Sequence, residues 1–94
     1  MNACVVQLEG DIDLSVRARV TTQLRSAVEE AIAADRDLSI DASRVTFMDS
    51  TGIGLVVEAS LAMSAEGHDV HLSGAPEIVR RVFEITGLSA LIVD

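Results

Sequence analysis

The chain has 94 residues, 49% of them hydrophobic, and its seven basic and fifteen acidic residues give a net charge of −8. That length predicts one domain over residues 1–94 with one modest core. The acidic balance argues against direct binding to nucleic acid, which needs clustered basic side chains. No apolar run reaches the roughly 18 residues of a membrane span, so no membrane insertion is expected. The single cysteine, Cys4, fits a reducing, cytoplasmic setting.

Strand and helix patterns alternate along the chain. Alternating or dense β-forming residues predict strands, and apolar residues three and four apart predict helices. The predicted elements are a strand over 3–9 ended by Gly10, a helix over 16–34 capped by Ser15, a strand over 38–42, a helix over 51–66, a strand over 68–72, a helix over 76–86 followed by Gly87, and a strand over 90–93. This order predicts an α/β domain with parallel strands joined by right-handed crossovers.

The segment Asp49-Ser50-Thr51-Gly52 follows the predicted strand over 38–42. Sites in such sheets tend to lie beyond the carboxyl ends of strands. One interpretation is structural, with Ser50 or Asp49 capping the second helix. The other is a phosphorylation switch at Ser50. A phosphate adds about −1.5 to −2 charges, which a helix N-terminus tolerates and a partner interface does not.

The second predicted helix is apolar almost all round. One set of its apolar side chains is expected to face the sheet: Ile53, Val56, Val57 and Leu61. A second set is expected to point elsewhere: Leu55, Ala59, Ala62 and Met63. Because full burial is hard in so small a domain, the second set favours a docking surface.

Signatures of catalysis, cofactors and metals are weak. Gly52-Ile53-Gly54 lacks the further glycine of a dinucleotide fingerprint and the Gly-Lys pair of a P-loop. His68 and His71 fall on opposite faces of their predicted strand, so no metal site is expected. Ser50, His71 and Asp41 could form a triad on paper, but the Gly-x-Ser-x-Gly elbow is absent. We therefore expect no cofactor and no enzyme, and a small hydrolase using Ser50 is the catalytic alternative.

Several segments together resemble the STAS domain family over nearly the whole chain. They are Glu9-Gly10-Asp11-Ile12-Asp13, Leu38-Ser39-Ile40-Asp41 and the residues of 45–54, 67–70 and 80–88. The resemblance is strongest to stand-alone bacterial anti-sigma factor antagonists. It implies a single STAS-like domain, with a small, mixed, mostly parallel sheet of about four strands packed with three to four helices.

The resemblance also implies a mechanism. Ser50 matches the serine phosphorylated by the cognate anti-sigma factor, itself an ATP-dependent serine kinase of the GHKL type. The unphosphorylated antagonist binds that kinase and frees its sigma factor, and a PP2C-type phosphatase resets Ser50. Asp49 matches the acidic residue beside the phosphosite, and Asp11 and Asp13 fall in a loop that borders the same surface. The expected partner-binding residues are Asp11, Asp13, Asp49, Ser50, Thr51, Gly52, Leu55 and Ala59.

One alternative keeps the fold and changes the function. A STAS subunit of a phospholipid-transport ABC complex would bind an ATPase of that complex. In that case Ser50 would serve only as a helix cap.

Overall fold

Strands and helices alternate throughout residues 3–93, the part of the chain that the computed structural model describes. The strands are β1 (Cys4–Ile12), β2 (Leu38–Met48), β3 (Val70–Ser73) and β4 (Ile92–Val93). The helices are α1 (Arg17–Ala33), α2 (Ser50–Ser64) and α3 (Glu77–Ile85). Two 3₁₀ turns, Leu14–Val16 and Ser89–Leu91, precede α1 and β4.

The strands of residues 3–93 form one sheet in the order β1-β2-β3-β4. All three pairings are parallel, and one row of Cα partners crosses the sheet through Val6, Ile40, Leu72 and Ile92. Right-handed crossovers between sequential neighbours put successive helices on the same face. The expected α/β fold with about four strands is therefore confirmed, and the described strands are all parallel rather than mixed.

The core fills the space between the sheet and the helices. Inward-facing side chains of β2 and β3 are buried, whereas Ser39, Asp41, His71 and Ser73 on the other face are half-buried. Large, fully buried side chains come from each layer: Leu8, Ile40, Val56, Leu72 and Phe83. Four buried residues of α1 follow the predicted helical spacing: Val20, Leu24, Val28 and Ala31.

The first two strands are longer than the sequence pattern predicts. Gly10 was expected to end β1 but lies inside it, with a φ of +78°. The β1–β2 register shifts twice around Gly10, and pairing then resumes to Ile12 and Met48. Buried residues on β2 are spaced by two up to Ala42 and by three at Val45 and Met48. Because these irregularities break the period-two pattern, alternation alone does not reveal the second half of either strand.

The expected Ser15 cap of the first helix is wrong. The Asp13 carboxylate accepts hydrogen bonds from the Ser15 backbone N–H at 3.0 Å and from the Ser15 hydroxyl at 2.6 Å. These bonds start the 3₁₀ turn that precedes α1. The helix proper begins at Arg17, and Val16 in its cap position supplies no side-chain hydrogen bond.

The predicted orientation of the second helix is partly wrong. Val56 is buried as expected, but Leu55, Ala59 and Met63 are also buried, with 5%, 5% and 0% exposure. Leu61, expected to face the sheet, is 66% exposed. The cause is α1, which packs beside α2 and covers a second face of it. A helix that is apolar almost all round carries no signal for which of its faces each neighbour will cover.

The C-terminal third differs from prediction mainly in strand length. The strand over 68–72 shifts to Val70–Ser73, and Ala90 and Leu91 lie in a 3₁₀ turn rather than in β4. Gly87 ends α3 as predicted, with a φ of +78°. The Leu88 backbone N–H then donates to the Phe83 carbonyl at 2.7 Å, which closes the helix end.

Candidate functional site

The candidate site lies at the carboxyl edge of the sheet. In a parallel sheet all strands end at one edge, and helices that return to the opposite edge begin there. The ends of β1 and β2 and the first turns of α1 and α2 therefore share this edge. The fold places Asp13, Asp49, Ser50 and Thr51 there, just beyond the ends of β1 and β2.

Asp49, rather than Ser50, caps the second helix. Its backbone is extended, and its carboxylate accepts a hydrogen bond from the Thr51 backbone N–H at 2.8 Å. Ser50 is the first residue of α2 and is exposed. Within residues 3–93 its hydroxyl makes no hydrogen bond. The sequence left the cap open between these two residues, and the structure leaves the Ser50 hydroxyl free for chemistry.

Three of the residues expected to contact a partner are buried instead. A Cβ at Gly52 would come within 2.5 Å of the Met48 side chain and 2.8 Å of the Ile12 side chain. Glycine therefore lets the first turn of α2 pack closely on the ends of β1 and β2. Leu55 and Ala59, each 5% exposed, pack within the domain. Leu55 and Ala59 therefore expose little side-chain surface and Gly52 has no side chain to offer, so that the partner-binding role expected of these three residues stays a prediction.

Asp11 and Asp13 lie in different settings at the end of β1. Asp11 lies within β1 rather than in a loop, is exposed, and accepts a hydrogen bond from the Thr46 hydroxyl at 2.6 Å. Asp13 is half-buried and starts the turn before α1. With Asp49 they place three carboxylates around the ends of β1 and β2.

Two exposed apolar side chains at this edge were not predicted from the sequence. Leu14, directly after Asp13, is 69% exposed, and Phe47, opposite Asp11 in the β1–β2 pairing, is 41% exposed. No local pattern reveals the exposure of Phe47, because it lies between the polar Thr46 and the apolar, buried Met48. Together with Ser50 these side chains give the edge both apolar and polar contact groups, as partner interfaces require.

A cleft of about 230 Å³ opens beside Ser50, between the first turns of α1 and α2. Its lining residues are Arg17, Ser50, Thr51, Gly54, Leu55 and Glu58. It continues into a groove of about 350 Å³ between the two helices, and both share Leu55 and Glu58. Ser50 therefore shares this cleft with one basic and one acidic residue.

A family model described as "Mlab, STAS domain" matches residues 1–94. The chain belongs to the STAS domain family. The resemblance drawn from the sequence is thus confirmed over its whole length. None of the helices in residues 3–93 of this STAS domain has the length and apolar character needed to cross a membrane.

Relatives of this STAS domain are named for one regulatory role. The anti-sigma-B factor antagonist of Staphylococcus aureus is 38% identical over 56 residues, which are 60% of this chain and 52% of that protein. That of Listeria monocytogenes is 37% identical over 84 residues, 88% of this chain and 70% of that protein. The chain therefore spans about half the length of the S. aureus relative and more of the Listeria one.

Solved structures show the same fold. The anti-sigma factor antagonist SpoIIAA in its unphosphorylated form has a TM-score of 0.79 and 26% identity, covering 96% of this chain and 76% of that one. Bacillus SpoIIAA in its phosphorylated form has a TM-score of 0.71 and 25% identity, covering 96% of this chain and 79% of that one. The STAS domain fold described above thus matches a protein solved in both states.

The opposite edge of this STAS domain holds a separate ionic cluster. Outside β3, His68 lies 2.8 Å from Asp35 and 3.3 Å from Asp37, through its two ring nitrogens. The hydrogen bond with Asp35 raises the pKa of His68 above its ordinary value. The Asp69 backbone N–H donates to Asp37 at 3.0 Å and lowers the pKa of that carboxyl. The cluster ties the two turns before β2 and β3 together, far from Ser50.

Proposed function

We propose that this STAS domain is an anti-sigma factor antagonist whose binding is switched off by phosphorylation of Ser50. One observation carries the proposal: the Ser50 hydroxyl is exposed and uncommitted while Asp49 holds the helix cap. The names of the relatives support the regulatory class, and the SpoIIAA structures support a fold compatible with both states. The position of Ser50 at the site edge supports its role as the modified residue.

The switch acts on binding rather than on folding. A phosphate adds about −1.5 to −2 charges and three acceptor oxygens. The helix N-terminus favours such an anion, and the cap belongs to Asp49, so the modified domain stays folded. A partner seated over Ser50 must instead accommodate that dianion beside Asp13 and Asp49. Desolvation and like-charge repulsion then weaken the complex.

The partner surface is the exposed part of the carboxyl edge. We assign to it the polar residues Asp11, Asp13, Ser50 and Thr51 and the two exposed apolar side chains, Leu14 and Phe47. The buried residues Gly52, Leu55 and Ala59 support this surface from below.

Two partners are proposed from the resemblance to anti-sigma factor antagonists. The first is an anti-sigma factor that is also a GHKL-type serine kinase and would use ATP to modify Ser50. The second is a PP2C-type phosphatase that would remove the phosphate. Each must reach the Ser50 hydroxyl, and its exposure at the first turn of α2 meets that requirement.

The test is affinity capture from an extract of the native host, with mass spectrometry as the readout. The baits are the wild type, Ser50→Asp and Ser50→Ala. The matched control is Ser64→Asp, an exposed serine at the other end of α2, about 21 Å along the axis. We expect the wild type, Ser50→Ala and Ser64→Asp to retain a small GHKL-type ATPase and Ser50→Asp to lose it.

Three results would contradict the proposal. Equal retention of the ATPase by Ser50→Asp and the wild type would remove Ser50 from the switch. Recovery of ABC-transporter subunits by every bait would instead assign the domain to phospholipid transport. Turnover of a simple ester that Ser50→Ala abolishes would support the hydrolase alternative.

A further inference from the structure

We propose that Arg17, at the start of α1, binds the phosphate carried by Ser50 in the modified protein. The first turn of α1 then provides an intramolecular binding site for the phosphate. The inference rests on the proposed function only in taking Ser50 as the modified residue. Arg17 would be a phosphate-binding side chain in a site that otherwise holds a serine and carboxylates.

Arg17 and Ser50 line the same cleft. Each is at the first position of its helix, and α1 and α2 begin at the same edge of the sheet and pack side by side. The cleft between the two first turns measures about 230 Å³ and is open to solvent at Ser50. A phosphate on the Ser50 hydroxyl would enter a space that the Arg17 side chain already borders.

The helical spacing of α1 turns Arg17 toward α2. The α1 residues that line the groove beside α2 recur at intervals of three and four: Thr21, Leu24, Arg25, Val28 and Glu29. Arg17 lies one turn before Thr21 in the same stripe. Arg19 lies about 200° further round the helix, is exposed, and lines neither cavity. The two arginines therefore share a charge and a helix but differ in the face they occupy.

The Arg17 guanidinium makes no stabilising polar contact within residues 3–93 of the unmodified protein. Across residues 3–93, no hydrogen bond or ion pair engages its guanidinium. Its position is unfavourable for a cation, because the helix N-terminus carries partial positive charge. The first turn of α1 holds no acidic residue, and Asp13, which caps the preceding 3₁₀ turn, makes no ion pair with Arg17 among residues 3–93. An arginine held at this position without a partner is suited to an anion that arrives later.

The charge balance of the cleft points the same way. A phosphate on Ser50 lies at the edge that holds Asp13 and Asp49, and Glu58 is in the cleft lining. Arg17 is the basic residue among those that line the cleft. A guanidinium matches phosphate oxygens with paired, charge-assisted hydrogen bonds. Pairing with Arg17 therefore offsets the repulsion from these three carboxylates.

The test measures the ionisation of the phosphate itself. Phosphoserine is placed at position 50 through an expanded genetic code, in the wild type and in the Arg17→Gln and Arg19→Gln backgrounds. A titration followed by phosphorus NMR then gives the second pKa of the phosphate, ordinarily about 6. We expect Arg17→Gln to raise this pKa by about 0.5 unit or more, because an adjacent cation favours the dianion. Arg19→Gln should leave it within about 0.1 unit of the wild type.

Two outcomes would overturn the inference. Equal phosphate pKa values in the wild type and Arg17→Gln would show that the guanidinium does not reach the phosphate. An equal rise in both variants would show a general field of the helix rather than a contact. Melting curves of the unmodified variants confirm that each is folded. Because no partner protein is present, the result is independent of whether the affinity capture finds an anti-sigma factor.

Discussion

Asp49 caps α2 and Ser50 carries the exposed hydroxyl, so substitutions at these two neighbouring residues should affect stability to different degrees. Asp49→Ala removes the acceptor that lies 2.8 Å from the Thr51 backbone N–H. Loss of such a cap costs about 1 kcal/mol, or about 4–8 °C in melting temperature for a domain of this size. Ser50→Ala removes an exposed hydroxyl without a partner and should change the free energy of unfolding by less than about 0.5 kcal/mol.

Urea unfolding at neutral pH, followed by circular dichroism, measures both changes. The slope of the free energy against urea should stay constant, so that shifts of the midpoint report stability. Asp49→Asn is the matched control, because asparagine keeps the acceptor oxygen and caps about as well as aspartate. If Ser50→Ala is destabilised as much as Asp49→Ala, then Ser50 holds the cap and the assignment of roles is refuted.

Three further predictions concern other parts of the domain. Gly52→Ala should lower the free energy of unfolding by about 1–3 kcal/mol, because the added methyl group overpacks the contact with Met48 and Ile12. Gly54 has open space around it, so Gly54→Ala should raise the free energy of unfolding by up to about 1 kcal/mol. A higher urea midpoint for Gly52→Ala than for Gly54→Ala would contradict this prediction. Because the pKa of His68 is raised in the folded state, the interaction of protonated His68 with Asp35 stabilises the fold fully below pH 6.5 and is lost as the pH rises through the raised pKa. Asp35→Asn should therefore flatten the pH dependence of the melting temperature between pH 6 and 8. An unchanged profile would show that the His68–Asp35 ion pair does not contribute to stability. Phe47→Thr should weaken capture of the proposed kinase and leave the melting temperature nearly unchanged, because this side chain is exposed. Undiminished capture would show that Phe47 is not part of the partner surface.

The architecture was predictable because local patterns agree with the tertiary fold. The apolar spacing of α1 marks its buried face, and Gly87 marks the end of α3. The second half of β2 was not predictable, since irregular pairing near Gly10 changes its buried spacing from two to three. The buried face of α2 was equally hidden, because it depends on where α1 packs.

The sequence indicates where the candidate site lies but does not specify what each residue does there. Ser50 and Asp49 stand out in the sequence because capping residues follow a predicted strand. Which of them caps depends on backbone torsions at Asp49 that no local pattern specifies. The position of Arg17 beside the Ser50 cleft was not predictable for a similar reason, because it arises from packing between two helices that are distant in the chain.

The assignment of cap and hydroxyl to adjacent residues has an evolutionary consequence. Asp49 holds the helix cap, so stability depends on Asp49, whereas the proposed switch depends on Ser50. Under that proposal, a copy of this gene would lose its regulation by one substitution at Ser50 without passing through an unstable intermediate. Constitutive and regulated versions of the same scaffold are then one step apart, which favours diversification of such domains after gene duplication.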